Sequence, residues 1–296
     1  MVSGGSLEGM DDPKGESAPD AGSENDIRAG VSTIETLPRP LFALAVVLVC
    51  FVLLQLLTLL FSFLIGFSYA LVPAFVLGGI IPVFLVTRWM ADSTRSFLRL
   101  FGVRTLPLIF CLGASFSLVV LQYNVAALVE KLFPMPPWMQ DFLVQLTRVR
   151  NFSEFLKVAS GVVVAAAVAE ELLFRGLLQS SLERKYGRWR AILLTSSLFA
   201  MLHDPWRFLP ILFIAVLFGY LVSRGNSIYY GMVAHAVTNA TSVAGGNLFG
   251  VKAGKAIYLP AWFLVLTAAV FIVSVAGFVQ STKSPPHRKF SYSVGE

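Results

Sequence analysis

Charged residues are scarce in this chain of 296 amino acids. Asp, Glu, Lys and Arg make up 14% of it, and 56% of its residues are hydrophobic; an ordinary soluble domain has about 25% charged residues. Mean hydropathy is +0.74. Residues 41–87 contain no Asp, Glu, Lys, Arg or His. As a helix this run would be about 70 Å long, or roughly two crossings of a ~30 Å hydrocarbon core. The composition excludes a soluble globular protein and predicts an integral membrane protein.

Cysteine is almost absent as well. The two cysteines, Cys50 and Cys111, both lie within apolar runs, where a free thiol behaves as a small hydrophobic side chain. The sequence therefore implies no disulfide framework.

The first apolar run, which begins at residue 41, is too long for the core of a removable signal peptide. We expect this run to remain as a membrane anchor.

Basic residues are unevenly distributed along the chain. The net charge is +6, but residues 1–40 carry eight acidic and three basic side chains, a net charge of −5, so residues 41–296 carry +11. The Lys and Arg residues lie in short loops beside apolar runs. There they set membrane orientation and contact anionic headgroups. We therefore expect membrane lipids as partners and no nucleic acid.

The apolar runs predict an all-α fold, a polytopic transmembrane helix bundle of about eight spans. A disordered acidic tail precedes it at 1–38, and a basic tail follows it at 281–296. The predicted spans are 41–63, 69–88, 105–127, 157–180, 190–203, 207–223, 228–245 and 257–280. In the loop 131–156, apolar residues recur at helical spacing. This loop is either an amphipathic helix at the membrane interface or a lid packed on the bundle.

The basic loops also predict an orientation. If eight spans alternate, 15 Lys and Arg residues lie on the side of the two termini and seven on the opposite side. Cytoplasmic loops carry the excess of Lys and Arg. We therefore expect both termini to be cytoplasmic.

Few ionisable residues lie within the predicted spans, where such residues are costly and usually functional. With one asparagine, the set is Glu170, Glu171 and Arg175 in the fourth span, His203 in the fifth, and His235 and Asn239 in the seventh. Counted from the cytoplasmic ends of their spans, Glu170, His203 and His235 all lie roughly 12–20 Å deep. We therefore expect them to converge at one level.

Helical spacing assigns these side chains to faces. Glu171 and Arg175 are four residues apart and can pair, whereas Glu170 projects about 100° away and is free to face a cavity. His235 and Asn239 share a face by the same spacing. Phe199 shares a face with His203, so its ring would wall the pocket beside that histidine.

This set of side chains suits peptide hydrolysis, which needs a base for water, a group that orients the water and donors for the oxyanion. Glu170 would be the base and His203 would orient the water. His235 and Asn239 would supply the donors, with Glu171, Arg175 and Phe199 in support.

Two alternatives stay open at this stage. A zinc ion could be held by Glu170, His203 and His235, because two histidines and a carboxylate with an open position suit zinc. A polar cluster could instead fix helix packing in a non-catalytic binding or transport protein. The sequence contains no H-E-x-x-H motif and no Asp within a predicted span, which argues against that zinc-protease motif and against a paired-aspartate protease.

Three motifs on successive late spans resemble those of a known family. They are E-E-x-x-x-R at 170–175, F-x-x-x-H at 199–203 and H-x-x-x-N at 235–239. In this order they are similar to the motifs of the CPBP (CAAX protease and bacteriocin-processing) family, also called ABI, which includes the type 2 CAAX prenyl endopeptidases. The resemblance covers residues 157–245.

The resemblance implies an eight-helix intramembrane endopeptidase whose cavity opens to the cytoplasm. It also implies a mechanism that depends on glutamate and needs no cofactor, with Glu170 as general base helped by His203. His235 and Asn239 would then line the oxyanion site, and Glu171 and Arg175 would support them. The implied substrate is a membrane-associated or C-terminal, CAAX-like peptide or protein, which CAAX proteases cleave in prenylated form.

Overall fold

Ten helices make up the part of the chain that the computed structural model describes, which is Met1, residues 38–248 and residues 258–282. In chain order they are α1 Pro40–Ile65, α2 (continuous through Phe67–Phe75, Val76–Ile80 and Ile81–Met90), α3 Thr94–Phe97, α4 Thr105–Leu132, α5 Pro137–Thr147, α6 Phe152–Tyr186, α7 Arg188–Met201, α8 Phe208–Gly225, α9 Ile228–Leu248 and α10 Ala261–Ser281. These residues contain no β-strand. The prediction of an all-α fold is confirmed.

Six of these helices are long and apolar enough to span a membrane, namely α1, α2, α4, α6, α8 and α10. The protein is therefore a multi-pass membrane protein. The other two predicted spans, 190–203 and 228–245, correspond to α7 and α9. Helix α7 has 14 residues, about 21 Å at ~1.5 Å per residue, which is short of a ~30 Å core. Helix α9 has 21 residues but carries a polar face, so its crossing, like that of α7, stays a prediction.

The fourth predicted span, 157–180, is extended at both ends in the structure. Helix α6 begins at Phe152 and ends at Tyr186. The Asn151 side chain caps its first turn by accepting a hydrogen bond from the Glu154 amide at 2.9 Å. Charged residues in the first and last turns lower the local hydropathy, so hydropathy alone places the boundaries too far inward.

Two glycines make tight reversals between antiparallel helices. Gly66 separates α1 from α2 at φ +86°, and Gly187 separates α6 from α7 at φ +83°. An L-residue with a side chain is strained at such angles, whereas glycine is not. These turns bring α1 back against α2 and α6 back against α7.

The loop 131–156 contains α5 and the start of α6. Leu143 on α5 is buried, whereas Trp138 and Phe142 are largely exposed. The Trp138 ring lies 6.2 Å from that of Trp206 and the Phe142 ring 5.9 Å from that of Phe67. Helix α5 thus packs on the bundle in the way a lid does. The alternative that it also lies at the membrane interface stays a prediction.

The first and last helices of the bundle have their outer ends on the same side. The ring contact between Phe67 and Phe142 puts the start of α2 beside α5, so α1 begins at the opposite end. Arg104 precedes the start of α4, whose other end leads into α5. Arg104 and Arg224 donate hydrogen bonds to the carbonyl oxygens of Ser281 and Thr282, so α10 also ends away from α5. The acidic tail at 1–38 and the basic tail at 281–296 lie almost wholly outside the described residues.

We expect the α5 end of the bundle to face away from the cytoplasm, because the basic loops lie at the other end. Ser93→Cys, beside α3, and Ser153→Cys, at the start of α6, place one exposed thiol at each end. The native Cys50 and Cys111 are buried and serve as silent background. A membrane-impermeant maleimide should label Ser153→Cys in intact cells and Ser93→Cys only after the membrane is opened.

The reverse pattern would show that the positive-inside assignment is wrong. Labelling of both variants from one side would contradict the arrangement of the helices themselves. Each labelled protein should be compared with the unsubstituted chain, which is expected to react in neither condition.

Candidate active site

The centre of the site lies on α6, where the helix is wholly buried. Every residue from Glu171 to Leu182 is buried. The helix adopts π-helical turns at Ala159–Ala165 and Leu172–Gln179. Such turns are frequent at functional sites. They flank the short α-helical stretch Ala166–Glu171, which carries both glutamates of the first motif.

Glu171 and Arg175 form the ion pair that their spacing predicts. Arg175 Nη1 donates to Glu171 Oε1 at 2.8 Å, and both side chains are 0% exposed. Arg175 Nη2 donates to the carbonyl oxygen of Ala215 on α8 at 3.1 Å. The guanidinium carbon also lies 4.6 Å from the ring centroid of Phe199 and 5.4 Å from that of Phe218. The pair therefore ties α6 to both α7 and α8.

His235 lies between the two glutamates. Its Nδ1 is 3.0 Å from Glu171 Oε1, and its Nε2 is 3.7 Å from Glu170 Oε2. Because an ionised carboxylate only accepts hydrogen bonds, we assign the proton of the neutral ring to Nδ1, which leaves a lone pair on Nε2. Glu171 therefore does more than hold the register of its helix, since it contacts His235 directly.

Glu170 differs from Glu171 in its access to water. Its side chain is 21% exposed, whereas that of Glu171 is fully buried. The 3.7 Å between Glu170 Oε2 and His235 Nε2 exceeds a hydrogen bond, and one water could contact both atoms. Glu170 lies beside the cavity wall at His235 and is not itself a residue that lines the cavity.

His203 lies two residues after the end of α7 and is oriented by that helix. Its Nδ1 lies 2.7 Å from the carbonyl oxygen of Phe199, so Nδ1 carries the ring proton and Nε2 is left as an acceptor. The Phe199 ring lies 4.6 Å from the His203 ring and 5.9 Å from that of His235. The Phe199 ring thus lies beside both histidines.

A cavity of about 780 Å³ extends from this cluster to the α5 end of the bundle. Phe199, His203, His235 and Asn239 line its inner part, and Trp206, Arg207 and Arg148 line the part near α5. Asn239 donates from Nδ2 to the carbonyl oxygen of Val162 at 2.9 Å, which leaves one amide N–H for a ligand. The cavity thus extends toward the bundle end opposite the start of α1 and the end of α10, so the expected cytoplasmic termini would put this part of the cavity on the non-cytoplasmic side.

The zinc prediction can be compared with the positions of possible metal ligands in the described part of the chain. No group of three or more His, Cys, Asp or Glu side chains in residues 38–248 and 258–282 is placed to hold a metal ion. The Nδ1 atoms of His203 and His235 face Phe199 and Glu171, as described above. Because these contacts leave the Nε2 atoms of both histidines unprotonated, the zinc alternative with Glu170, His203 and His235 stays a prediction.

The segment that carries these residues matches a known protein family. Residues 152–241 match the model of a family described as type II CAAX prenyl endopeptidase, Rce1-like. The chain carries an Rce1-like CAAX prenyl endopeptidase domain, and that family is a family of proteases. No curated protein and no solved structure matches the chain. The predicted resemblance is confirmed, and all three motifs lie within the matched segment.

Two residues of the endopeptidase domain contact the site but were missed in the sequence. Phe218 stacks on His235, with ring centroids 5.0 Å apart and an interplanar angle of 28°. Gly231 leaves space for Glu171, since a Cβ built there would lie 2.6 Å from Glu171 Oε2. Phe218 is one of many aromatic residues in the spans and carries no distinctive signal. Gly231, one turn before His235, could have been noticed by its spacing.

We expect Gly231→Ala to destabilise the endopeptidase domain. The added methyl group would also lie 2.6 Å from Val222 Cγ2, so either α9 shifts or the Glu171 carboxylate leaves its partners. Overpacking of this kind costs about 1–3 kcal/mol. Gly102→Ala, where the methyl group meets nothing within 4 Å, should change the free energy of unfolding by less than about 0.5 kcal/mol. Thermal unfolding of the two purified variants tests this, and equal stability would contradict the packing described.

Proposed function

We propose that the protein is an intramembrane endopeptidase that cleaves a peptide bond of a membrane-associated, C-terminal CAAX-like substrate by glutamate-activated water. The observation that carries this proposal is the position of Glu170, a partly exposed carboxylate 3.7 Å from Nε2 of His235, which lines the cavity. The family of the domain supports the reaction class. The mechanism and the substrate rest on the geometry and chemistry that follow.

Glu170 is the general base in this mechanism. A water between Glu170 Oε2 and the histidines donates one proton to the carboxylate while its oxygen attacks the scissile carbonyl carbon. His203 Nε2, whose lone pair is free because Nδ1 faces Phe199, accepts the water's other hydrogen and orients it. The proton held by Glu170 then passes to the leaving amine, so the carboxylate is regenerated when the C–N bond breaks.

Asn239 is the donor for the developing oxyanion. Its amide has one N–H beyond the bond to Val162, and it lines the same cavity as His235. His235 can donate from Nε2 only when that nitrogen carries a proton, because Nδ1 already faces Glu171. Donors fixed in advance in a site that excludes bulk water stabilise the transition state without reorganisation.

The second glutamate and the arginine act as a positioning pair. Glu171 fixes the ring of His235 through Nδ1, and Arg175 holds Glu171 in place through its 2.8 Å bond. A histidine whose second nitrogen is engaged keeps one tautomer and one orientation. The pair therefore presents Nε2 of His235 toward Glu170 and the cavity.

The size of the cavity supports a peptide substrate. A volume of about 780 Å³ lies within the range of roughly 300–1,000 Å³ that ligand pockets occupy. Aromatic and aliphatic residues line much of it, among them Phe199, Trp206 and Phe218. A short apolar peptide segment suits this lining better than a large polar ligand.

We expect Glu170→Gln and His203→Ala to reduce cleavage by at least about a hundredfold, because the loss of a general base or its partner typically costs that much. The measurement uses the full-length protein in detergent and fluorogenic peptides, prenylated and unprenylated. Asp141→Asn removes an exposed carboxylate on α5 and should leave the rate unchanged. Membrane abundance of each variant is measured in parallel.

Full activity in either Glu170→Gln or His203→Ala would refute the assigned mechanism. Loss of wild-type activity with a zinc chelator would restore the metal-dependent alternative with Glu170, His203 and His235. If the folded wild type cleaves none of the peptides while it still binds one of them, the non-catalytic binding or transport alternative would replace the endopeptidase.

A further inference from the structure

The charged residues that line the cavity differ in whether they are already paired. They are Glu130, Arg148, Arg150 and Arg207. Arg150 pairs with Glu154 at 2.8 Å, and Arg207 hydrogen bonds to the Asp204 carboxylate at 2.6 Å. Glu130 accepts the amide N–H of Met135 at 3.1 Å. Among the described residues, Arg148 has no carboxylate partner, and residues 249–257 contain no Asp or Glu.

The backbone on both sides of Arg148 is held to helix α9. Asn247, at the end of α9, accepts the amide N–H of Val149 on Oδ1 at 2.8 Å and donates from Nδ2 to the carbonyl oxygen of Thr147 at 2.8 Å. Arg148 is the residue between these two contacts. The Asn247 side chain, on the helix that carries His235, therefore fixes the backbone position of Arg148. Arg148 also lines a second, smaller cavity beside the first.

The separation along α9 between His235 and Asn247, which holds the backbone beside Arg148, sets the approximate span that a substrate would cover. His235 and Asn247 are twelve residues apart on one continuous helix, which corresponds to about 18 Å. Three residues of extended peptide span about 10 Å at ~3.3 Å per residue. The remaining ~8 Å is covered by an extended arginine side chain and a hydrogen bond of about 3 Å.

We infer that Arg148 binds the C-terminal carboxylate of a substrate that ends about three residues beyond the cleaved bond. The guanidinium group matches a carboxylate in a bidentate geometry. This inference rests on the proposed endopeptidase function and adds the residue that selects a free chain end at a set distance from the site. Arg148 is a specificity residue that does not contact the reacting atoms.

The experiment compares three peptides with the full-length protein in detergent. The first is a fluorogenic peptide that ends in farnesyl-Cys-Val-Ile-Met with a free carboxylate, the second is its C-terminal amide, and the third is extended by three residues. We expect wild type to favour the free carboxylate over the amide by about fivefold to tenfold in kcat/KM, as one charge-assisted contact allows. Extension of the peptide should abolish the advantage.

Arg148→Gln should remove this preference through KM, with kcat on the free carboxylate unchanged, because the contact is remote from the reacting atoms. Arg190→Gln removes an exposed arginine at the opposite end of the bundle and should keep the wild-type preference. Arg150→Gln, whose cation is already paired with Glu154, should keep most of it.

Three outcomes would overturn the inference while the proposed function stands. They are equal cleavage of carboxylate and amide by wild type, an unchanged preference in Arg148→Gln, and equal loss on both peptides in that variant, which would indicate a lipid or structural role. Failure of the folded wild type to cleave any of the three peptides would instead count against the proposed function itself.

Discussion

The buried ion pair between Glu171 and Arg175 is the interaction on which the rest of the site depends. Both side chains are fully buried and their charged atoms are 2.8 Å apart. Burial of two charges is expensive, and it is tolerated when the remaining hydrogen-bonding groups also find partners. Two such partners come from other helices, the Ala215 carbonyl on α8 and the His235 ring on α9, whereas Glu171 Oε2 and Arg175 Nε are buried without a hydrogen-bond partner among the described residues. The loss of either charge would leave the other uncompensated within the bundle.

Each further contact of the pair constrains one candidate functional group. Glu171 orients His235, and Arg175 lies over the ring of Phe199, whose carbonyl oxygen in turn holds His203. His203, just after α7, and His235, on α9, thereby line the same cavity. Glu170, the neighbour of Glu171 in sequence, is left on another face of α6 and stays accessible to water. Adjacent carboxylates on one helix can thus serve one structural and one chemical purpose.

The cavity affects both the membrane properties and the orientation of the bundle. Polar residues on α9, including Thr238, Asn239 and Ser242, line it, so α9 falls below the hydropathy of a membrane span. The cavity also reaches the bundle end opposite the ends of α1 and α10. The basic loops and the family resemblance therefore give opposite answers for the side on which a substrate would enter. This opposition is invisible in the sequence, because neither argument locates the cavity along the bundle.

The sequence by itself determined the membrane class, the helical fold, six of the spans and the motif residues. Apolar run length and i,i+4 spacing are local properties, and they also predicted the pairing of Glu171 with Arg175. Tertiary structure decided the direct contact between Glu171 and His235, the stacking of Phe218, the space left by Gly231 and the end of the bundle toward which the cavity extends. These features depend on how helices distant in sequence rotate and pack against each other, and periodicity along one helix contains no information about its neighbour.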